Sequence, residues 1–548
     1  MLDDVWEPIS FEEIGIPSGE NHNNCKVLLT SRNVSVCNSM GCPRPIQLGL
    51  LSDQDAWILF RKHAGVDDVL PKNFQDKGQE ITNECKNLPV AIAAIASTLN
   101  DRPLEEWDAA LTALRNPMPM LDVDENLRNI YKSLRYSYEN MKSEIAKRFF
   151  LLLSVFPADT EVPIELLTIF GIGAGFFGEV DKYSEARSQV LSVKNKLINS
   201  CLWLDAEDNR VKLHDLIRDV ALLIANGDIQ FISLSEKKRK ALANKEMRIQ
   251  YLCCEDLQVG DMESFPSWFD GSKLEFLLIS MEASDPVEVP NTFFEKMTRL
   301  GVLYLSHNDT SKLPLTLSIS DKSLSNIRTL VLGDWELGDI SFLVILPSLE
   351  ILSLCRCSIR KLPIAITKLE KLRLLEMVYC EIERENPFEV IEKCLQLEEL
   401  YFVDNEFPIL DTTDEVEAIH HQNTFLTLNR YCLQKNGEVR DSISKAVCPP
   451  NIEALVSEAT FKHLVQGAEI LQLGRIEREW RNLIPEIVPM EGNGMNDLIE
   501  LSLGSCSKVQ CLVNTKHHYS AAPNVFSKLV ALDLVNMDSL EELCIGPN

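Results

Sequence analysis

The sequence predicts a multidomain chain: a partial α/β fold, a helical bundle, a winged-helix-like domain, then an α/β leucine-rich-repeat solenoid. Three observations predict it. Lys26-Val-Leu-Leu-Thr-Ser-Arg32 is a short β-prone apolar run ending in polar residues, the pattern of a central parallel strand. Apolar residues then recur at helical spacing from Leu48 to about Leu114 and again up to Ala225. After about Lys245 a Leu-x-x-Leu-x-Leu core returns at Leu274, Leu300, Ile327, Leu349, Leu372 and Leu397, at intervals of 26, 27, 22, 23 and 25 residues.

Bulk properties narrow the function classes. A length of 548 residues leaves room for several domains, and 45% hydrophobic with 25% charged residues is a globular composition. The 54 Lys and Arg against 82 Asp and Glu leave a net charge of −28, which disfavours general nucleic-acid binding. The start at Met1-Leu-Asp-Asp lacks the basic and apolar regions of a signal peptide, and no apolar run approaches the roughly 20 residues of a membrane span. The expectation is a cytoplasmic protein in a reducing compartment, a reading that leaves peripheral membrane association open. Sixteen cysteines without a Cys-x-x-Cys pair read as buried thiols.

In chain order, residues 1–47 bring Asp3 and Asp4 at one strand end and Arg32 at another. A carboxylate suits Mg2+ and its waters, which makes Asp3 the metal candidate, and a guanidinium suits a terminal phosphate. An Asp-Asp pair is equally the composition of a solvated turn. Residues 48–125 read as helices, with Ser52-Asp-Gln-Asp55 as a start signal and Pro89 at the first turn of a later helix. Residues 126–244 read as helices followed by a hairpin, Cys201-Leu-Trp-Leu204 and Val211-Lys-Leu213, with His214 and Asp215 where the second strand gives way to a helix. On its own that pair is a capping device. Gly173-Ala-Gly175-Phe-Phe-Gly178 has dinucleotide-loop spacing, but no buried strand precedes it, so it reads as a junction between helices.

Residues 245–548 form the repeat array, with further cores at Leu498 and Leu529 and one or two degenerate repeats expected between about Asp404 and Asn496. Three places beyond the last core position stand Asn308, Cys357, Cys380, Asn405 and Cys506, the residue types this repeat uses to bond the turn backbone. Side chains between the leucines face the concave side, where protein recognition is the natural use. They nominate Tyr304, His307, Arg356, Glu376, Tyr379 and Tyr401 as partner-binding candidates.

With these pieces in order the chain resembles the plant intracellular disease-resistance proteins that join a nucleotide-binding (NB-ARC) switch to leucine-rich repeats. Leu2-Asp-Asp-Val-Trp6 is similar to the Walker B motif of the coiled-coil class, Lys26–Arg32 to the next nucleotide-site motif, and Asn87-Leu-Pro-Val90 to a Gly-Leu-Pro-Leu element. Phe149 to Pro157 resembles a further block, and Leu213-His-Asp215 a Met-His-Asp motif. The resemblance implies ADP or ATP with Mg2+ as cofactor, Arg32 as phosphate sensor, Pro89 beside the adenine, and His214 on the ADP phosphate. It implies a pathogen effector or guarded host protein as partner, oligomerisation on activation, and no enzyme beyond slow ATP hydrolysis as a reset. No Gly-x-x-x-x-Gly-Lys-[Ser/Thr] occurs in the 548 residues. The expectation is therefore a receptor truncated before Walker B, either retaining the switch or acting only as a repeat-based interaction module or decoy.

Overall fold

The computed structural model describes residues 1–548 except 3–4, 6, 17–25, 32, 43, 67–70, 116–124, 179, 181, 226–228, 234–248, 258–270, 310–311, 320–323, 408–427, 435–444, 449–451, 475–478, 490–494, 517–524 and 547–548. At the N-terminal end Leu2 bridges Leu29 in parallel; Thr30 N–H donates to Leu2 O (2.9 Å) and Val5 N–H to Thr30 O (2.9 Å). Residues 28–30 thus pair with Leu2 and Val5 as a parallel strand pairs. Helix α1 (Val34–Ser39) follows, capped by the Asn33 side chain, which accepts from Ser35 N–H (2.9 Å).

The bundle consists of α2 (Asp53–Ala64), α3 (Lys72–Glu84), α4 (Pro89–Thr98) and α5 (Leu104–Arg115). Ser52 caps α2 by accepting from Asp55 N–H, and Gly65 ends it at φ +66, a left-handed position that glycine takes without strain. Buried Trp107 meets Phe60 and Phe74 edge-on, with centroids 5.3 and 5.2 Å away.

Next come α6 (Glu125–Glu139), α7 (Glu144–Leu153), β1 (Val162–Pro163), α8 (Ile164–Gly173), α9 (Tyr183–Asn199), β2 (Leu204–Ala206), β3 (Arg210–Lys212) and α10 (Asp215–Ala225). The three strands form an antiparallel sheet in the order β1-β3-β2. Its hairpin turns through Asp208 and Asn209, both at positive φ, which these two residue types tolerate. Helix α6 packs against both α4 and α10, so the bundle and the winged-helix-like unit share one core.

The second half coils as a parallel sheet of thirteen described strands, from Ile229–Ser233 to Ala531–Val535. Its leucines stack in register: Leu277, Leu303, Leu330, Leu352, Leu375 and Leu400 form one row, and Ile279, Leu305, Leu332, Leu354, Met377 and Phe402 the next. All are buried, each contributing about 1.5–3 kcal/mol by removal from water. Two expectations need correction. The sheet starts at Ile229, earlier than residue 245, because its first strands pair through backbone without the leucine pattern. Among the described residues, the stretch from 404 to 496 adds three strands to this sheet, Arg430–Gln434, Lys445–Val447 and Ile470–Gly474, where one or two repeats were expected.

The turn positions work as a ladder. Cys357 Sγ donates to Leu332 O (3.3 Å), Cys380 Sγ to Leu354 O (3.3 Å) and Asn405 Nδ2 to Met377 O (2.8 Å), each reaching the preceding repeat. Burial pushes the Cys380 thiol up to about 12, so it stays a neutral donor. Trp335 performs the same task through Nε1–H to Leu305 O (3.2 Å), a role the Asn/Cys pattern does not disclose. Asn308 departs from the expectation: it is exposed. The strand Val302–His307 runs one residue longer than most of its neighbours and turns His307 inward, where Nε2 lies 3.1 Å from Ala283 O.

Candidate functional site

The strand-to-helix joint at residues 213–215 is built by backbone first. Leu213 is buried and its carbonyl accepts from Asp159 N–H (3.1 Å); His214 O accepts from Ile217 and Arg218 N–H (both 2.9 Å), which starts α10. Leu216 N–H is shared by Asp215 Oδ1 (2.6 Å) and His214 Nδ1 (3.3 Å), and the two side chains touch. The pair therefore caps the helix. Half of the His214 side chain is exposed, at 49%, while Asp215 is at 15%. With Nδ1 held against the helix start, the imidazole is oriented with its outer edge free to meet a ligand.

Pro89 is the first residue of α4 and is exposed. Before it, Asn87 stands at φ +55, the left-handed conformation that explains a glycine in the resembling motif; asparagine is a residue that can replace it there. Asn87 also ties the bundle together, since its Nδ2 donates to Asp53 Oδ1 (2.7 Å) and its carbonyl accepts from Leu51 N–H (3.3 Å). Pro89 and His214 stand on different units with α6 packed between α4 and α10. Asp3, Asp4, Trp6 and Arg32 lie outside the described residues. The described part thus holds an exposed proline at the start of α4 and an oriented imidazole at the start of α10. The phosphate-loop motif is not among the 548 residues.

Much of the concave face is covered from within the chain. Phe276, Val302, Thr329, Ile351 and Leu374 align across successive strands, and α8 lies along them. Phe170 meets Phe276 edge-on at 4.9 Å, and Thr329 Oγ1 donates to Ile169 O (3.1 Å). The approach is close because glycines meet: a Cβ on Gly301 would stand 2.2 Å from Gly173 O. The partner-binding candidates divide accordingly. Tyr401 is buried, Tyr304 lies half-buried edge-on to Phe170, Glu376 accepts from Ser353 Oγ (2.5 Å) within the same row, and His307 is in the repeat core. Arg356 and Tyr379 stand on the rim at positive φ, 56% and 51% exposed.

An ion cluster that sequence reasoning missed locks this contact. Arg187 of α9 donates from Nε and Nη2 to Glu165 (2.9 and 2.8 Å) and from Nη1 and Nη2 to Glu399 (2.9 and 2.6 Å). Tyr183 Oη donates to Glu165 (2.8 Å), Tyr183 N–H to Glu398 (2.8 Å) and Tyr401 Oη to Glu399 (3.1 Å). Burial presses upward on both carboxyls. The Arg187 and Tyr183 bonds outweigh it at Glu165, which falls below the usual range, while the more enclosed Glu399 rises. Glu376 rises as well, from burial and from facing Glu165. The available signal was Glu399 and Arg430 at register positions held by Val302, Ile351 and Leu374 in earlier repeats.

A cysteine and a histidine meet at the junction of the helical units, where His63 Nδ1 lies 3.5 Å from Cys201 Sγ and 3.4 Å from Ser97 Oγ. Burial raises the Cys201 thiol and lowers His63. That is the reverse of a thiolate and imidazolium pair, so the triangle is packing rather than a nucleophile.

The chain is similar in part to known proteins. The family model described as the NB-ARC domain matches residues 1–69, which extends through α1 and past the end of α2. A probable disease resistance protein of Arabidopsis thaliana is 29% identical over 385 residues, covering 69% of this chain and 47% of that protein. The Arabidopsis disease resistance proteins UNI and RPS5 are each 27% identical, over 70% and 62% of this chain and 40% and 39% of theirs. The chain spans less than half the length of these relatives. Among solved structures, a leucine-rich-repeat protein of Leptospira interrogans has 17% identity and TM-score 0.30, covering 59% of this chain and 86% of that one. The chain is similar to plant disease resistance proteins over about two thirds of its length, and its first 69 residues match the NB-ARC domain.

Proposed function

We propose that this chain is the sensing and latching part of an innate-immune receptor, in which ADP or ATP controls a switch and the repeats recognise a pathogen effector or guarded host protein. The observation that carries the reading is the seating of α8 and α9 on the concave face, locked by Arg187 between Glu165 and Glu399. A protein ligand that engages the rim at Arg356 and Tyr379 and favours the undocked form shifts the equilibrium by its differential affinity alone. Moving from 1:99 to 99:1 takes about 5.5 kcal/mol of such difference.

The nucleotide would supply polyanionic charge at the closed joint. Asp3 would hold Mg2+ with Asp4 beside it in the nucleotide site, Arg32 the terminal phosphate, Pro89 the adenine and His214 the ADP phosphate, with Asp215 fixing the imidazole. This assignment is supported by the oriented, half-exposed His214. Calorimetric titration of the purified chain with ADP tests it: binding that disappears in His214→Ala supports the latch. Absence of heat together with absence of co-purified nucleotide would sink it.

A second reading is a repeat-based interaction module or decoy without nucleotide control, resting on the thirteen described strands of the repeat sheet. It expects no ADP binding but an unaltered docked interface.

A further inference from the structure

The Gly173-Ala-Gly175 turn, with no dinucleotide fold behind it, lines an open cleft of about 340 Å3 between the helical half and the repeats. We propose that this cleft binds a small phosphate-bearing polyanion. Helix α7 contributes Arg148, the turn after α8 contributes Gly175, and successive repeats contribute Glu275, Arg299, Asn326 and Arg328. Three guanidiniums face one carboxylate here, in a chain whose net charge is −28. Crowding like charges costs free energy that a bound anion would offset.

The guanidiniums are arranged for the purpose. Arg148 stacks 4.4 Å over the Phe176 ring and donates to Gly175 O (3.4 Å), with its Nη2 held loosely, 3.8 Å from Glu275. Arg328 is oriented by its Nε, which donates to Glu350 Oε1 (2.6 Å), and its Nη1 lies beside Gly175, where an added Cβ would meet it at 3.3 Å. Arg299 is exposed and makes no ion pair among the described residues. Planar forks held by stacking and by one bond each match phosphate oxygens better than a flexible ammonium would. The enclosed volume suits a compact ligand. Because Arg148 and Arg299 come from opposite walls, an anion bridging them would also stabilise the docked arrangement, by the linkage that any ligand of one state exerts.

The test uses the whole chain and tripolyphosphate, read by calorimetry and by thermal shift. Arg299→Glu removes an exposed side chain that makes no ion pair among the described residues and should weaken binding about tenfold or more, as expected for loss of a charged hydrogen-bond partner. Arg299→Lys should lose less, and His214→Ala should bind as the parent does. Pelleting with vesicles of phosphatidylinositol phosphate against vesicles of phosphatidylcholine separates a lipid headgroup from a soluble anion; either source supports the site. No tripolyphosphate binding, binding unchanged in Arg299→Glu, or binding lost in His214→Ala instead would each overturn it. So would equal affinity for a glutamate-rich peptide, which would make the cleft a protein-docking surface. The ADP reading fails separately, through its own titration.

Discussion

Asn405 holds two neighbouring repeats at once: its Nδ2 donates to Met377 O (2.8 Å) and its Oδ1 accepts from Cys380 N–H (2.7 Å). Asn405→Ala would orphan both buried groups, at about 1–3 kcal/mol each, and urea unfolding should show a loss on that scale. A change under about 0.5 kcal/mol would mean water replaces the side chain there. Glu376 makes a prediction of the opposite sense. Its carboxyl is raised above the ordinary 4.5 by burial and by Glu165, so its penalty is absent below that pH and grows as pH rises through the folded value. Glu376→Gln keeps an acceptor for Ser353 and should melt above the parent increasingly from about pH 4.5 upward. Glu165, held low, works the other way: its contribution is present above its ordinary pKa and lost as pH falls through the folded one. A melting difference between parent and Glu376→Gln that does not grow with pH would contradict the Glu376 assignment.

Helix α8 depends on backbone proximity. Gly301→Ala would drive a Cβ to 2.2 Å from Gly173 O, a main-chain atom that cannot swing aside, whereas a Cβ on Gly504 meets nothing within 4 Å. The first should cost about 1–3 kcal/mol and loosen α8 from the sheet, with faster amide exchange in Ile164–Gly173; the second should be nearly neutral. Similar effects from both would remove the close approach as a cause. Elements of this kind differ in how much the sequence discloses. The leucine rows were legible because each repeat core is assembled within about 25 residues, and the joint at His214 because strand and helix periods change there. Docking of α8 and α9 was not, since Thr329 and Ile169 are 160 positions apart, Arg187 and Glu399 are 212, and no local period links them. Trp335 escaped because an indole N–H meets the geometric demand without being one of the expected residue types. His307 was assigned to the wrong face because its strand runs one residue further than most of its neighbours.

At the scale of the whole molecule, Arg187→Ala tests whether the two halves are held by charge or by shape. It would leave Glu399, 2% exposed, buried without its guanidinium, at a cost of about 3 kcal/mol or more. Small-angle scattering should then report a larger radius, and the double substitution Arg187→Met with Glu399→Leu should recover compactness by replacing the pair with apolar volume. Failure of the double variant to recover would show that direction-specific bonds, not burial, keep the halves together. Among the described residues no helix is long and apolar enough to cross a membrane.

The row from Phe276 to Leu374 has a further consequence for how such a protein can change. A substitution at Val302 or Thr329 must satisfy α8 before it can satisfy any visitor, whereas Arg356 and Tyr379 stand more than half exposed. If the repeats recognise a partner as proposed, novelty in what is recognised has to be written on the rim, while the inner wall stays a portrait of the chain's own helices.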